Sequence, residues 1–203
     1  MLIIIDCLIF FFFSKFSEVV ANFKYQDCLG LPIWREPCEW LGAFQKKFPL
    51  HLISNQPENK LHSQLDHGTY SREKKVNGRE PIHVNSLDAS ERNLKEGDLV
   101  LVFNDRGSCL ASVVMDEGIR QGVVLMSTGA WYDPVDPSIE NSTCKNGNPN
   151  VLTIDKGTSS LAQGPIAHTC LVEIKLVKKP MPEVTAYDPP KIIRKMVRDD
   201  QEI

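Results

Sequence analysis

The chain has 203 residues, of which 42% are hydrophobic and 24% charged, and its net charge is -3. That profile excludes a disordered polypeptide and supplies enough apolar residues for a core without disulfide or metal staples. The slight acidic excess argues against a general nucleic-acid binder, which carries a basic surplus.

Residues 1–13 are almost wholly apolar, broken by Asp6. The run is shorter than the roughly 20 residues of a spanning helix, and neither a preceding Lys or Arg nor a following small-residue cleavage site marks a signal peptide. A buried strand and the artefact of a truncated reading frame are both open; a membrane anchor fits less well, and no membrane insertion is expected. Residues 1–47 read as a linker or the remnant of a preceding domain. Within them Pro37 predicts a short helix through Trp40 and Phe44, with Trp34, Trp40 and Phe44 as packing residues.

Residues 48–180 read as a β-rich domain. The runs 48–53, 99–103, 109–115, 123–126 and 169–177 are rich in Val, Ile, Leu and Thr. Asn104-Asp105-Arg106-Gly107 predicts a hairpin turn between two of them. Residues 87–91 look like a helix start, with Asp88 as cap and Glu91 three residues on. A second short helix is expected over 158–162, stopping at Gly164. Short strands with small helices and no βαβ rhythm predict a barrel or sandwich, not a doubly wound sheet. After the breaker at 178–182, residues 181–203 are charged and proline-bearing and read as a poorly packed tail.

The six cysteines, Cys7, Cys28, Cys38, Cys109, Cys144 and Cys170, form no CxxC pair, so zinc and iron–sulfur spacings are absent. Cys109 and Cys170 lie in strand-like runs and are expected as reduced, buried thiols. No GxSxG or HExxH occurs, and no metal ligand or catalytic residue is assigned.

Three polar stretches carry the functional interest. Ser54-Asn55-Gln56-Pro57-Glu58-Asn59-Lys60-Leu61-His62-Ser63-Gln64 leaves a predicted strand and offers hydroxyls, amides, an imidazole and an ammonium, the donor set that a phosphate or polar heterocycle needs. Residues 144–153, CKNGNPNVLT, hold asparagines that suit a turn and can pair with an amide-like ring edge. Gln163-Gly164-Pro165-Ile166-Ala167-His168-Thr169 enters a strand past a glycine that permits close backbone approach. Each is also compatible with an ordinary solvated loop or turn.

Taken in order, HLISNQPENKLHSQLDHG, GREPIHVNSLDASERNLKEGDLVLVFNDRG, GAWYDP and CKNGNPNVLTIDKGTSSLAQGPIAHTCLVEI resemble the C-terminal domain of the DMSO reductase family, in its trimethylamine-N-oxide and biotin sulfoxide reductase branch. The likeness runs from about Phe16 to Val177. It implies a mainly β fold with short helices, a six-stranded double-psi β-barrel of the aspartate-decarboxylase-like type. It implies a molybdenum ion held between two molybdopterin guanine dinucleotides, shared with upstream domains of the same enzyme. By that analogy Ser54, Asn55, Gln56, Pro57, Lys60, His62, Ser63 and Gln64 contact a pterin dinucleotide, and Asn150, Ala167 and His168 add further contacts. Family members often carry Arg where Lys60 stands; lysine keeps the charge but loses the bidentate geometry.

The chemistry implied is oxygen-atom transfer from an N-oxide or S-oxide, with the cofactor carrying the reaction. A cytochrome or thiol reductant is the expected kind of electron donor, and either periplasm or cytoplasm of a bacterium fits. The molybdenum-ligating domain lies upstream in such enzymes, so a fragment inactive alone is expected. The rival readings are a free-standing double-psi barrel acting as an interaction module without molybdenum, and a small hydrolase or decarboxylase on the same barrel. The decarboxylase version needs a self-processing Gly-Ser junction, and Gly107-Ser108 falls in the predicted hairpin instead.

Overall fold

The computed structural model describes residues 20, 22–27, 34–190 and 192. The apolar run at 1–13, with Cys7 and Cys28, lies outside the described residues.

Six strands close into a barrel: β1 (Leu50–Ile53), β2 (Pro81–Val84), β3 (Leu99–Phe103), β4 (Ser108–Met115), β5 (Val123–Leu125) and β6 (Thr169–Leu176), in the spatial order β1-β5-β2-β4-β3-β6. Two pairs are parallel, β1 with β5 and β2 with β4, and the other four are antiparallel. This is the closed, mainly β architecture that the sequence motifs imply, and closure removes the sheet edges that would invite aggregation. The helices are short: α1 (Thr69–Glu73), α2 (Ser86–Glu91) and a 3-10 turn at Pro149–Val151.

The period-2 pattern of the strands explains the core. In β3, Val100 and Val102 point inward while Leu99, Leu101 and Phe103 stay half-buried. They pair with Ala111 and Cys109 of β4 and with Leu176 and Ile174 of β6. Leu50, Leu52, Ile82, Val84, Val113, Val124 and Val172 complete the barrel interior, each burial stabilising the fold by about 2 kcal/mol. β4 is buried on both faces from Cys109 to Val113, because residues 144–146 cover its outer side: Leu110 N–H donates to the Cys144 carbonyl (2.8 Å) and Cys144 N–H to that of Ser108 (3.0 Å). Cys109, Cys144 and Cys170 are buried free thiols. Burial pushes the Cys109 thiol well up, and raises Cys170 to about 12 against the opposing pull of Arg106.

The hairpin at 104–107 forms as expected, closed by Asn104 N–H to the Gly107 carbonyl (3.1 Å). Other expectations are corrected. α2 is capped by Asn85, whose side chain accepts from Leu87 N–H (2.9 Å). Asp88, the expected cap, is buried inside the helix and accepts Gly122 N–H (2.7 Å), fastening α2 to the entry of β5. No helix forms over 37–44; the segment runs as turns and bends, with Phe44 98% and Trp34 74% exposed. What draws this segment to the barrel is a carboxylate and not an aromatic stripe: Glu39 accepts both guanidinium arms of Arg106 (2.5 and 2.9 Å) and the Leu171 N–H (2.9 Å). Residues 158–162 are not helical either. Ala162 N–H donates to Ser159 Oγ (2.9 Å) and Thr158 N–H to the Gly164 carbonyl (2.8 Å), so hydroxyls compete locally with helical bonding.

β2 and α1 were not foreseen in the sequence. β2 has four residues, opens on proline and carries His83 in its middle, so neither length nor composition marks it as a strand between β5 and β4. Residues 182–188, expected as part of a poorly packed tail, instead lie against the body: Thr185 and Ala186 N–H both donate to Asp133 Oδ2 (2.7 and 3.1 Å). Among the described residues no helix is long and apolar enough to cross a membrane.

Candidate functional site

The parallel pairing of β1 and β5 decides where the polar loops meet. Parallel strands send their C-terminal ends the same way, so residues 54–64 and 126–132 leave the barrel together. The pairing continues past the strands: Met126 N–H donates to the Ile53 carbonyl (3.0 Å) and Thr128 N–H to that of Asn55 (2.9 Å). β6 runs antiparallel to β1, so its beginning lies at this end too, and Ser54 N–H donates to the His168 carbonyl (2.8 Å).

The 54–64 loop is held by bonds within itself and by bonds to the 126–132 loop. Asn55 accepts from Ser127 Oγ (3.0 Å), and Gln56 Nε2 lies 2.9 Å from His62 Nδ1. His62 adopts φ +49°, and Gln64 N–H donates to the Leu61 carbonyl (2.9 Å), closing the tip. Gly129, at φ +98°, lies directly against the His62 carbonyl, where a Cβ would fall inside that oxygen's van der Waals shell. Trp131 Nε1 donates to the Ser63 carbonyl (2.7 Å). The two loops are therefore held face to face.

Between them runs a cleft of about 350 Å³ bounded by His62, Ser63, Gly129, Trp131, Asn148 and Asn150. Asn148 caps the 3-10 turn by accepting Asn150 N–H (2.9 Å), and the Asn150 side chain stands exposed. Asn150 thus shares one cleft with His62 and Ser63, from which it is far removed in sequence. Asn55, Gln56 and Pro57 line the adjoining groove with Ser127 and Lys74. Gln64 is exposed on the loop tip. His168 is joined to Ser54 through its backbone, but its side chain lines a separate groove beside Glu36 and Gly157. Ala167, next to it, is half-buried.

Ser54 and Lys60 have distinct surroundings. Ser54 is 3% exposed, and its Oγ has no hydrogen-bond partner among the described residues. A buried hydroxyl left unpaired costs about 1–3 kcal/mol unless a ligand or water satisfies it. The Lys60 ammonium does not reach the cleft surface. It is fully buried and donates to Asp66 Oδ1 and Glu80 Oε2, both at 2.9 Å. Lys75 completes an alternating square, 3.2 Å from Asp66 and 2.8 Å from Glu80. Burial alone would raise the Asp66 carboxyl, but Lys60, Lys75, Trp131 N–H and Tyr187 overcome it and hold the group down at about 2.

Sequence reasoning passed over Gly129, Trp131, Asp66 and Glu80 as site residues, while Asn148 lies in the asparagine-rich stretch 144–153 that it singled out. The GAWYDP motif was the available signal for the first two. Nothing in the local sequence marks two carboxylates as the buried partners of Lys60. Among the described residues, no group of three or more His, Cys, Asp or Glu side chains is arranged to hold a metal ion.

With the cleft defined, comparison with known proteins is decisive. The family model "Molydopterin dinucleotide binding domain" matches residues 50–171, which span the whole barrel up to β6. The chain belongs to this molybdopterin dinucleotide binding family. Similar proteins include the trimethylamine-N-oxide reductase of Salmonella typhi, 46% identical over 178 residues, covering 86% of this chain and 21% of that protein. The trimethylamine-N-oxide reductase of Haemophilus influenzae is 44% identical over 87% of this chain and 22% of its own length. The dimethyl sulfoxide/trimethylamine N-oxide reductase of Cereibacter sphaeroides is 40% identical over 87% of this chain and 21% of its own length. The chain therefore spans about a fifth of the length of the curated relatives it matches. In fold it resembles the acetylene hydratase of Pelobacter acetylenicus, with a TM-score of 0.63 at 17% identity over 80% of this chain and 23% of that one. The resemblance to the DMSO reductase family drawn from the motifs is borne out, and the molybdopterin-binding barrel is the unit that the chain supplies.

Proposed function

We propose that this barrel forms the wall that closes over a bis(molybdopterin guanine dinucleotide) molybdenum cofactor in an N-oxide or S-oxide reductase, sharing the cofactor with upstream domains and inactive without them. The working unit is residues 48–180 with the 182–188 strap laid against it, and residues 1–47 serve as the linker from the preceding domain. The observation that carries this reading is the cleft at the ends of β1 and β5 that gathers His62 and Ser63 with Asn150 from a distant turn.

The residues present fit such a ligand. Ser54, Asn55, Gln56, His62, Ser63, Gln64 and Asn150 supply donors and acceptors matched to phosphate oxygens and to the edges of pterin and guanine rings. Pro57 shapes the loop, and Ala167 and His168 bring backbone close to Ser54. Lys60 contributes by bracing the loop from beneath, since its charge is balanced by Asp66 and Glu80. The cofactor, when bound, supplies oxygen-atom transfer and two-electron redox chemistry; the chain's own residues bind, orient and screen it from water. A cytochrome or a thiol reductant would deliver electrons to the assembled enzyme.

Titration of the purified chain with molybdopterin guanine dinucleotide, followed through tryptophan fluorescence, should saturate. Ser54→Ala and Asn150→Ala should each weaken binding about five- to tenfold, the loss of one or two hydrogen bonds to a polar ligand. Linear, non-saturating quenching, or unaltered affinity in both variants, would count against the site.

A further inference from the structure

We propose that the strap at 182–188 is a latch that positions the Trp131 wall of the cleft, with Thr185 and Tyr187 as its positioning residues. This rests on the reading of the cleft as the dinucleotide site.

The main chain of Trp131 is gripped on both sides. Its N–H donates to Asp66 Oδ2 (3.0 Å) and its carbonyl accepts from Asn146 Nδ2 (3.0 Å). Both grips meet at one atom of the strap: the Tyr187 hydroxyl donates to Asp66 Oδ2 (2.8 Å) and lies 3.3 Å from Asn146 Oδ1. Burial first, and then the Asp66 carboxylate that accepts from it, push the Tyr187 phenol far up, so its oxygen keeps its proton and remains the donor. The Tyr187 ring also packs 5.9 Å from the Trp131 ring, and the Arg72 guanidinium covers it at 5.1 Å.

Two residues beyond Trp131, the strap takes both oxygens of Asp133, a carboxylate 6% exposed. Thr185 and Ala186 N–H donate to Oδ2 (2.7 and 3.1 Å), and Thr185 Oγ1 donates to Oδ1 (2.8 Å). Lys145 Nζ donates in turn to Thr185 Oγ1 (2.8 Å), while its N–H donates to the Asp133 carbonyl (2.7 Å). Arg79 adds a bond to the Pro182 carbonyl (2.8 Å). These partners lie behind the cleft, in 66–79 and 131–146, and not in the barrel interior. The strap's hydrogen bonds thus go to Asp66 and Asn146, which hold the Trp131 main chain, and to Asp133, two residues beyond it, with Lys145 and Arg79 as further partners. Two sites joined through one ordered segment must influence each other equally in both directions, so a ligand that orders the wall also orders the strap.

Hydrogen exchange by mass spectrometry on the full chain tests this. Tyr187→Phe and Thr185→Val each remove only a hydroxyl that binds a charged partner, so amides in 129–133 should exchange about tenfold faster and molybdopterin guanine dinucleotide should bind about tenfold more weakly. Thr185→Ser, which keeps the hydroxyl, should restore both, a rescue that general loosening of the fold would not give. In the unmodified chain, saturating dinucleotide should slow exchange across 182–188. The proposal is overturned if 182–188 is released in the variants while 129–133 keeps its protection. If the unmodified chain binds no dinucleotide, the reading of the cleft falls, and exchange at 129–133 alone still decides for or against the latch.

Discussion

Asp66→Asn should lower folding stability by about 3–5 kcal/mol, because it removes one corner of a buried square of alternating charges and leaves two ammonium groups facing a single carboxylate. For a chain of this size that corresponds to a fall in melting temperature of roughly 10 °C. The near-identical shape of asparagine does not help. Asp66 accepts from Lys60, Trp131 N–H, the Tyr187 hydroxyl and Asn146. The new amide presents a donor where the chain already supplies donors. Replacing the whole square with apolar side chains would cost far less than breaking it, since desolvating four charges offsets most of their attraction. The square thus fixes the positions of the 60–66 loop and of Trp131 more than it adds net stability.

The same group sets an acid limb. Its folded-state value of about 2 lies below the ordinary 3.8. A depressed carboxylate contributes stability that is complete above its ordinary value and is lost as pH falls through the folded-state value. Stability measured by urea unfolding should therefore drop by about 2 kcal/mol on this group's account between pH 4 and pH 2. In Asp66→Asn that part of the profile should flatten. An unchanged slope in the variant, or a cost below about 1 kcal/mol at neutral pH, would show that the square carries no such coupling.

Gly129→Ala is the second large effect. The position needs φ +98° and has the His62 carbonyl where a Cβ would stand. A side chain there adds backbone strain of about 1–3 kcal/mol, and the contact cannot relax by rotating a flexible side chain because the neighbour is backbone. The 54–64 loop must move away from the 128–132 loop, which opens the cleft and breaks the alignment of Ser63 with Trp131. Dinucleotide affinity should fall more than tenfold, and stability by about 2–3 kcal/mol. Gly78→Ala is the control, at φ +75° with no heavy atom within 4 Å of the added Cβ. It should cost about 1 kcal/mol and leave binding untouched. Equal binding losses in the two variants would mean that strain at a turn, and not the meeting of the loops, governs affinity.

Much of the barrel can be read in the sequence because β3 alternates cleanly between inward and half-buried positions, and β4 and β6 are eight-residue runs rich in small and apolar residues. β2 escapes because four residues opening on Pro81 make no pattern by themselves and gain strand character only between β5 and β4. Residue type singles out 54–64 as a donor-rich loop, but no local signal says that Gly129 and Asn150 come to meet it; the first follows from the parallel pairing of β1 with β5, and the second from residues 144–146 lying along β4. Lys60 reads as a surface cation because its partners Asp66 and Glu80 become neighbours only on folding. Asp88 reads as a cap, yet Asn85 two residues ahead of the first bonded N–H takes that place, since it alone can reach the Leu87 amide. The strap was misjudged for a related reason: proline and charge mark a loose tail, and the carboxylates that fasten it lie 52 and 121 residues away.

On the proposed reading, the loops after β1 and β5 form the dinucleotide site together with the turn at 148–150. Backbone amide shifts of the labelled chain, recorded by NMR during addition of molybdopterin guanine dinucleotide, test it most directly. Saturable changes are expected at 54–64, 128–132 and 148–150, with the opposite groove of Arg92, Lys175, Lys178 and Lys179 unmoved. Changes confined to that basic groove, or none along the cleft, would contradict it.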